Sequence, residues 1–469
     1  MTDVLHPAPE AWDAWSTGDF STNGHQRPQG GPSAWAPLTI FGEKGAFLPA
    51  AAGSNLLTSG LYVAKGGEQL YTYHGGGYVP GDSRIKELLA RDLGADHWRP
   101  NRADAVLQYL SAVAPDLWER PPLDRINLAN GIFNLCTGQL EPHTPEFLSP
   151  IQLQVSYDPD ALCPAIDRFI AQVFPVDSVQ LAYAIAGWLM FPDTAYQKAI
   201  LLIGIGRNGK SVYLLLLQAL VGATNCSARS LQALSDHFAA ADLYGKLANI
   251  AADIPGARVE DVSTFKSIVG ADPLTGERKY RDAFKFEPYA RLIFSGQEIP
   301  PAPDSSDAYI DRWIIVRFPH RFGPDPRTGG LVCPACGVVH ARIPNVIDSL
   351  TTPDELSGFL NKALAAYRRV KERGGFSQTA TTKRGTEELE DTVDPTSAFI
   401  AERCYIEDRA EARKPLLYKG YVEWCADSGR KAMSTRRFYP LMLRRGFEED
   451  RRHGVDWIHG IGLLEEPKE

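Results

Sequence analysis

The sequence predicts an α/β protein of about three domains, and three observations carry that prediction. From residue 197 to about 322, short apolar runs ending at glycines or acids alternate with helical periods, as in a parallel sheet covered by helices. Inside that span the run Ala199-Ile200-Leu201-Leu202-Ile203 enters Gly204-Ile205-Gly206-Arg207-Asn208-Gly209-Lys210-Ser211, and a leucine-rich segment follows. From residue 396 onward, three helical periods precede a hairpin pattern. Composition sets the outer bounds. The 469 residues are 44% hydrophobic and 10% aromatic, an ordinary globular balance with ample core. No apolar run approaches the ~20 residues of a membrane span. Residues 1–20 are acidic and aromatic rather than basic and then apolar, so no signal peptide is expected and the protein reads as cytoplasmic. Cys136, Cys163, Cys226, Cys404 and Cys425 are scattered and read as small apolar groups rather than a disulfide framework. The net charge is −8, so any nucleic-acid contact must be local.

Taken in order, residues 1–60 are rich in Gly, Pro, Ser and Ala and are expected to form an irregular leader. A mixed α/β domain is expected over 61–193. Leu70-Tyr71-Thr72-Tyr73 and Tyr78-Val79-Pro80 flank a glycine triplet as the arms of a hairpin do. Residues 84–93 and 103–112 carry helical spacing. Residues 126–135 read as two strands joined at Asn130-Gly131, and 164–174 and 179–190 as helices. The parallel-sheet domain is expected over 194–375.

That domain holds the chemistry. The eight residues from Gly204 follow the spacing G-x-x-x-x-G-K-S between a strand and a helix. Glycines let consecutive N–H groups face one anionic centre, and the helix start adds partial positive charge. Lys210 can reach β- and γ-phosphates, and Ser211 can hold Mg²⁺. Gly204, Gly206, Arg207, Asn208, Gly209, Lys210, Ser211 and Val212 are therefore the expected nucleotide-binding segment. Leu247-Ala248-Asn249-Ile250-Ala251-Ala252-Asp253 is an apolar strand ending in a carboxylate, where Mg²⁺ needs a second ligand. Arg291-Leu292-Ile293-Phe294-Ser295-Gly296-Gln297 is another, and Gln297 can orient the attacking water. Arg312 precedes a third strand; it is either an arginine that completes a neighbouring subunit's site or a local ion-pair partner. Arg278, Lys279, Arg281 and Lys285 lie on a hairpin between turn signals, set to grip a phosphate backbone or to form a solvated edge.

Residues 323–342 form a Gly- and Pro-rich insertion with Cys333-Pro334-Ala335-Cys336 and then His340. These three side chains suit zinc, with His320 the nearby fourth candidate; a metal-free thiol pair is the alternative. Thr352-Pro353-Asp354-Glu355 starts a helix, with Thr at the cap and Glu three residues on. The polar stretch 376–395 reads as a linker. Over 396–469, three helices and a hairpin make a winged-helix arrangement. Arg436 and Arg437 fall on its third helix, where such domains meet DNA. Arg444, Arg445, Arg451 and Arg452 extend the basic run, while Glu448, Glu449 and Asp450 dilute it, and a protein-contacting wing is the alternative.

With these residues collected, residues 69–464 resemble the helicase part of the phage and plasmid primase–helicases, a branch of superfamily 3 within the AAA+ ATPases. The resemblance rests on Gly187-Trp188-Leu189, Asp193-Thr194 and Gln197-Lys198-Ala199 leading into the glycine loop. It also rests on Phe265-Lys266-Ser267-Ile268-Val269-Gly270-Ala271-Asp272-Pro273 and Tyr309-Ile310-Asp311-Arg312-Trp313. It implies an AAA+-type P-loop core, Lys210 and Ser211 on phosphate and Mg²⁺, and Asp253 as the Walker B acid. It further implies Lys279 and Arg278 facing a DNA channel, and Arg312 acting across a subunit interface. A ring, most simply a hexamer, moving on single-stranded or forked DNA inside a bacterial host is implied, with a separate primase or polymerase as partner. Two positions depart from the pattern: Gln297 stands where the family has Asn, and Asp253 has no adjacent second acid. Roughly 70 residues precede the resemblance, so no primase domain and no priming are expected. The expected function is an ATP-dependent replicative helicase of a mobile element. The alternative is an ATP-switched origin-binding or loading protein without strand displacement.

Overall fold

The computed structural model describes residues 39–465 apart from 68, 237, 278–281, 305, 325–331, 334, 335, 395, 430 and 431. Arg278, Lys279 and Arg281 therefore lie outside the described residues.

The chain begins with α1 (Pro49–Thr58), β1 (Val63–Gly66), β2 (Gln69–His74), β3 (Gly77–Pro80), α2 (Asp82–His97) and α3 (Pro100–Val113). The three strands form one antiparallel sheet, with His74 opposite Gly77 at the expected hairpin. Ala52, Leu56, Leu70, Ile85, Leu89, Val106 and Leu110 close a small core between this sheet and the three helices. Residues 49–58, expected to belong to the leader, are thus a helix. Pro49 sits in its first turn, and Ala52 and Leu56 gain burial that a free segment would forgo.

A second antiparallel sheet follows: β4 (Arg125–Leu128), β5 (Gly131–Asn134) and β6 (Gln139–Glu141), with Leu128 opposite Gly131 across the Asn130 turn. Then come α4 (Pro164–Val173) and α5 (Val179–Leu189). Ile126, Leu128 and Phe133 share one hydrophobic cluster with both helices and with the parallel sheet. The boundary drawn at 193 therefore crosses a continuous core. Asp193 is a buried bracket there: it accepts the Tyr367 hydroxyl at 2.6 Å and the Ala195 N–H at 3.0 Å.

The central sheet comprises β7 (Ala199–Ile203), β8 (Cys226–Ser227), β9 (Ala248–Ala251), β12 (Arg291–Gly296) and β13 (Trp313–Arg317). All are parallel, in the order β13-β7-β12-β9-β8. Alternate side chains serve opposite faces. Ile200, Leu202, Ile293, Ile314 and Val316 enter one cluster, and Leu201, Ile203, Phe294, Trp313 and Ile315 the other. A sheet covered on both sides needs unbroken apolar strands, which is why these runs stand out in the sequence. Helix α6 (Lys210–Val221) follows β7, α7 (Ala239–Leu243) precedes β9, and α8 (Ser263–Gly270) leads to the short antiparallel pair β10 (Leu274–Gly276) and β11 (Phe284–Phe286). The one-turn helix α9 (Asp307–Ile310) introduces β13.

Beyond the insertion lie α10 (Val346–Leu350) and α11 (Pro353–Arg373), the latter capped by Thr352 as its sequence predicts. Glu355 adds a second function: its two oxygens accept the Ala165 and Ile166 N–H groups, both at 3.0 Å, and so close the N-terminus of α4. The expected linker is instead largely helix, α12 (Ala380–Val393), started by a Thr379–Thr382 capping box. Its Leu389 and Val393 are buried in the sheet's second cluster, and Gly385 lets it approach Ile315.

The last unit runs α13 (Thr396–Arg403), β14 (Cys404–Arg413), α14 (Lys414–Asp427), α15 (Thr435–Arg444), β15 (Glu448–Arg452) and β16 (Val455–Leu463). Its sheet is antiparallel in the order β14-β16-β15. The strand β14 is an addition to three helices and a hairpin. Five of its ten residues are charged and most are exposed, so it lacks the apolar signal of a strand.

Candidate nucleotide-binding site

The site is built where β7, β12 and β9 end. At the close of β7 the Gly204 N–H donates to the Gly296 carbonyl at 3.2 Å, which fastens the glycine loop to the strand beside it. Gly206, Arg207 and Gly209 all have positive φ, so the loop curls back before α6 begins at Lys210. Gly209 is required twice over, by its φ of +88° and by Val173, whose Cγ1 would lie 2.5 Å from an added Cβ. The first helical turn leaves its N–H groups without intrahelical acceptors, facing the loop's concavity.

Lys210 is 5% exposed and its Nζ donates to the Gly204 carbonyl at 2.6 Å and to Asn208 Oδ1 at 3.1 Å. Burial pulls its pKa down to about 8, and the charge of Asp253 works against that fall. Asn208 is 3% exposed and its Nδ2 has no partner among the described residues, a buried donor that a phosphate oxygen would satisfy. Asp253 follows β9 with a φ of +55°, and its N–H donates to Ser295 Oγ at 3.2 Å. Gln297 follows β12 and is exposed, as are Asp253 and Ser211. Because β12 lies between β7 and β9, Gln297 leaves the sheet between the loop and the acid. The residues fit a Mg²⁺–triphosphate: donors and a cation line the loop, the Ser211 hydroxyl lies next to Lys210 in the first turn of α6, and the Asp253 carboxylate comes in from β9.

A cavity of about 500 Å³ adjoins the loop. Phe169 and Val173 of α4, Val212 and Leu215 of α6, Phe322, and Ile343 beyond the insertion give it an apolar lining, and Arg207 and Gly209 join it to the phosphate side. Nothing local in the sequence marks Phe169, Val173 or Phe322, since only folding brings them to the loop.

Arg312 is elsewhere. Its carbonyl accepts the Ala199 N–H at 2.7 Å, at the entry end of β7, whereas the Phe318 N–H meets Ile203 at the loop end. Five residues of β13 separate the two ends, roughly 17 Å. Its guanidinium donates to the Ala308 carbonyl, and its buried Nε has no partner among the described residues. Lys285 is exposed on β11, at the hairpin whose tip lies outside the described residues. Arg436 is exposed, but Arg437 turns inward and donates to the Ala302 and Val393 carbonyls, both at 2.8 Å. Arg445 is paired with Asp394, Arg451 with Asp456, and Arg452 with Asp450 and Glu411.

The five-stranded parallel sheet, the glycine loop and the acid across from it are the arrangement of a P-loop core within a mixed α/β protein. Two family models match the chain: "D5 N terminal like" over residues 95–175, and a "Family of unknown function (DUF5906)" over 202–312. The chain therefore carries a segment similar to the D5 N-terminal one, followed by a DUF5906 segment that runs from β7 to Arg312. Among solved structures, an apo form of the NrS-1 C-terminal region is 12% identical, with 88% of this chain and 99% of that one covered at a TM-score of 0.50. Another apo structure of that region is 11% identical, covering 88% of this chain and all of that one, at a TM-score of 0.46. The former likeness shows a shared fold. Among the described residues no helix is long and apolar enough to cross a membrane.

Proposed function

We propose that this chain is an ATP-driven DNA helicase of a phage, prophage or plasmid, working as a ring with nucleotide held between subunits. The observation that carries the reading is the separation of Arg312 from Lys210 and Asp253 by the length of β13. An arginine at the far end of its own sheet serves a triphosphate only in an adjacent copy. Bound Mg²⁺, held by Ser211 and Asp253, would neutralise charge on the phosphates. Lys210 and the loop N–H groups hold the γ-phosphoryl group, Gln297 orients the attacking water, and a neighbour's Arg312 stabilises the charge that develops. The apolar cavity beside Gly209 takes the base. Lys285 and the hairpin it stands on contact single-stranded DNA. The helix–strand–helix–helix–hairpin order of residues 396–463 supports a winged-helix, AAA+-associated reading of the last unit, with Arg436 toward DNA.

Mixed-subunit turnover tests this. Lys210→Ala and Arg312→Ala chains are each expected to lose ATP hydrolysis by roughly 10²-fold or more. Mixed together they should regain part of it, since some interfaces then carry a native lysine and a native arginine. No recovery on mixing, with nucleotide still bound by Arg312→Ala, would refute the shared site. ATP-dependent binding to forked DNA without strand displacement would favour the loading-protein alternative.

A further inference from the structure

We infer that His320, Cys333, Cys336 and His340 bind one Zn²⁺ in a closed tetrahedral site, and that this ion braces the wall of the cavity beside the phosphate loop. The second half rests on the nucleotide reading above; the first stands on the side chains alone. One ligand atom from each residue, two sulfurs and two nitrogens, lies within 4.8 Å of all the others. Bonds of ~2.3 Å to sulfur and ~2.0 Å to nitrogen bring tetrahedral ligands to roughly 3.3–3.8 Å of one another, so closure needs shifts of about an ångström. Cys336 Sγ and His340 Nε2 are already 3.1 Å apart.

The backbone is arranged for this. The Gly337 N–H donates to the Cys333 carbonyl and the Cys333 N–H to the Val338 carbonyl, both at 2.9 Å. Gly337 takes a φ of +69°, which turns the chain back directly after Cys336. Val332 and Val339 bridge antiparallel at the base of this turn. His320 arrives from the end of β13, and its Nδ1 is buried with no partner among the described residues. Two thiolates and two imidazoles are the donor set of a structural zinc site. The loop also needs a staple. Val338, Val339 and Ile343 are exposed rather than packed into a core of the loop's own, so packing alone holds it weakly.

The ligands flank the cavity wall. Phe322 lies two residues past His320, and Ala341, Arg342 and Ile343 follow His340; all four line the cavity. The Gly323 N–H donates to the His340 carbonyl at 2.8 Å, and the His340 ring centroid is 5.2 Å from that of Phe322. The Phe322 N–H in turn donates to the Arg207 carbonyl in the glycine loop at 2.8 Å. One ion thus tethers both segments of the wall. Without it the wall samples other positions, and apparent nucleotide affinity falls by the fraction of time it is in place.

The full chain, purified without added metal, is assayed for zinc by mass spectrometry. It is also loaded with Co²⁺ and read for thiolate-to-metal charge transfer and tetrahedral visible bands. About one zinc per chain is expected, lost in Cys336→Ser and kept in Cys136→Ser, an exposed cysteine that is not among the four clustered side chains. The dissociation constant of a fluorescent ATP analogue should rise roughly tenfold in Cys336→Ser and in wild type stripped by a chelator, and return on adding Zn²⁺. The stripped wild type carries the test if the variant does not fold. Absence of both zinc and the cobalt spectrum overturns the metal site. Zinc loss with unchanged nucleotide affinity overturns the bracing role. A zinc-loaded wild type that binds no nucleotide overturns the bracing role and the proposed function, while the metal assignment survives.

Discussion

Lys210 occupies a position that costs it charge. Burial lowers its pKa to about 8, yet phosphate binding needs the ammonium form. Nucleotide affinity should be flat near neutrality and fall about tenfold per pH unit above about 8, with proton uptake on binding in calorimetry across buffers. For folding the sign is reversed. The folded pKa lies below the ordinary 10.5, so this group's effect on the ligand-free protein becomes more favourable as pH rises from about 8 to 10.5. Lys210→Arg, which stays charged, should flatten the binding profile; an unchanged profile would remove Lys210 as its cause. Arg437 makes the opposite point about a basic side chain. It reads from sequence as a DNA contact, but its guanidinium joins α15 to Ala302 and Val393. Arg437→Ala should cost about 1–3 kcal/mol in urea unfolding, because two buried carbonyls lose their donor.

Among the elements, α12 shows how composition misleads. Its sequence is rich in Thr and Glu, and only Leu389 and Val393 reach the core. That is enough, because the sheet's exposed face must be covered and a capping box fixes where the helix starts. Leu389→Ala is expected to destabilise by about 2–5 kcal/mol, measured by urea unfolding. Gly385→Ala should also destabilise, although alanine is the better helix former. An added Cβ would meet the Ile315 carbonyl oxygen at 2.8 Å, and backbone does not give way cheaply. A gain in stability from Gly385→Ala would mean that α12 does not dock as described. The strand β14 was invisible for a related reason: its pairing with β16 fixes it, not any alternation of its own. By contrast β7, β12 and β13 were plain, because burial on both faces allows only apolar residues.

At the scale of the whole molecule, the DNA reading depends on which cations remain available. Arg445, Arg451 and Arg452 are engaged with acids, whereas Arg436 and Lys285 are exposed. Each phosphate contact contributes about one unit to the slope of log affinity against log salt. Arg436→Ala and Lys285→Ala should therefore each flatten that slope by about one, in fluorescence anisotropy with forked and single-stranded DNA. An unchanged slope for both would place the DNA contact elsewhere. Ring formation with a non-hydrolysable ATP analogue belongs to the same scale, since Arg312 has no triphosphate within reach in its own chain.

The sequence by itself determined the phosphate loop, the strands on either side of it, the acid at Asp253 and the cysteine–histidine donor set. Each is a local pattern whose spacing is dictated by backbone geometry or ligand chemistry. Only the tertiary structure decided that Phe169, Val173, Phe322 and Ile343 line one cavity, that Asp193 ties Tyr367 of α11 to the segment before β7, and that Arg312 lies at the end of β13 opposite the phosphate loop. Those relations join residues far apart in the chain, and they follow from strand order and packing, which no local window of residues encodes.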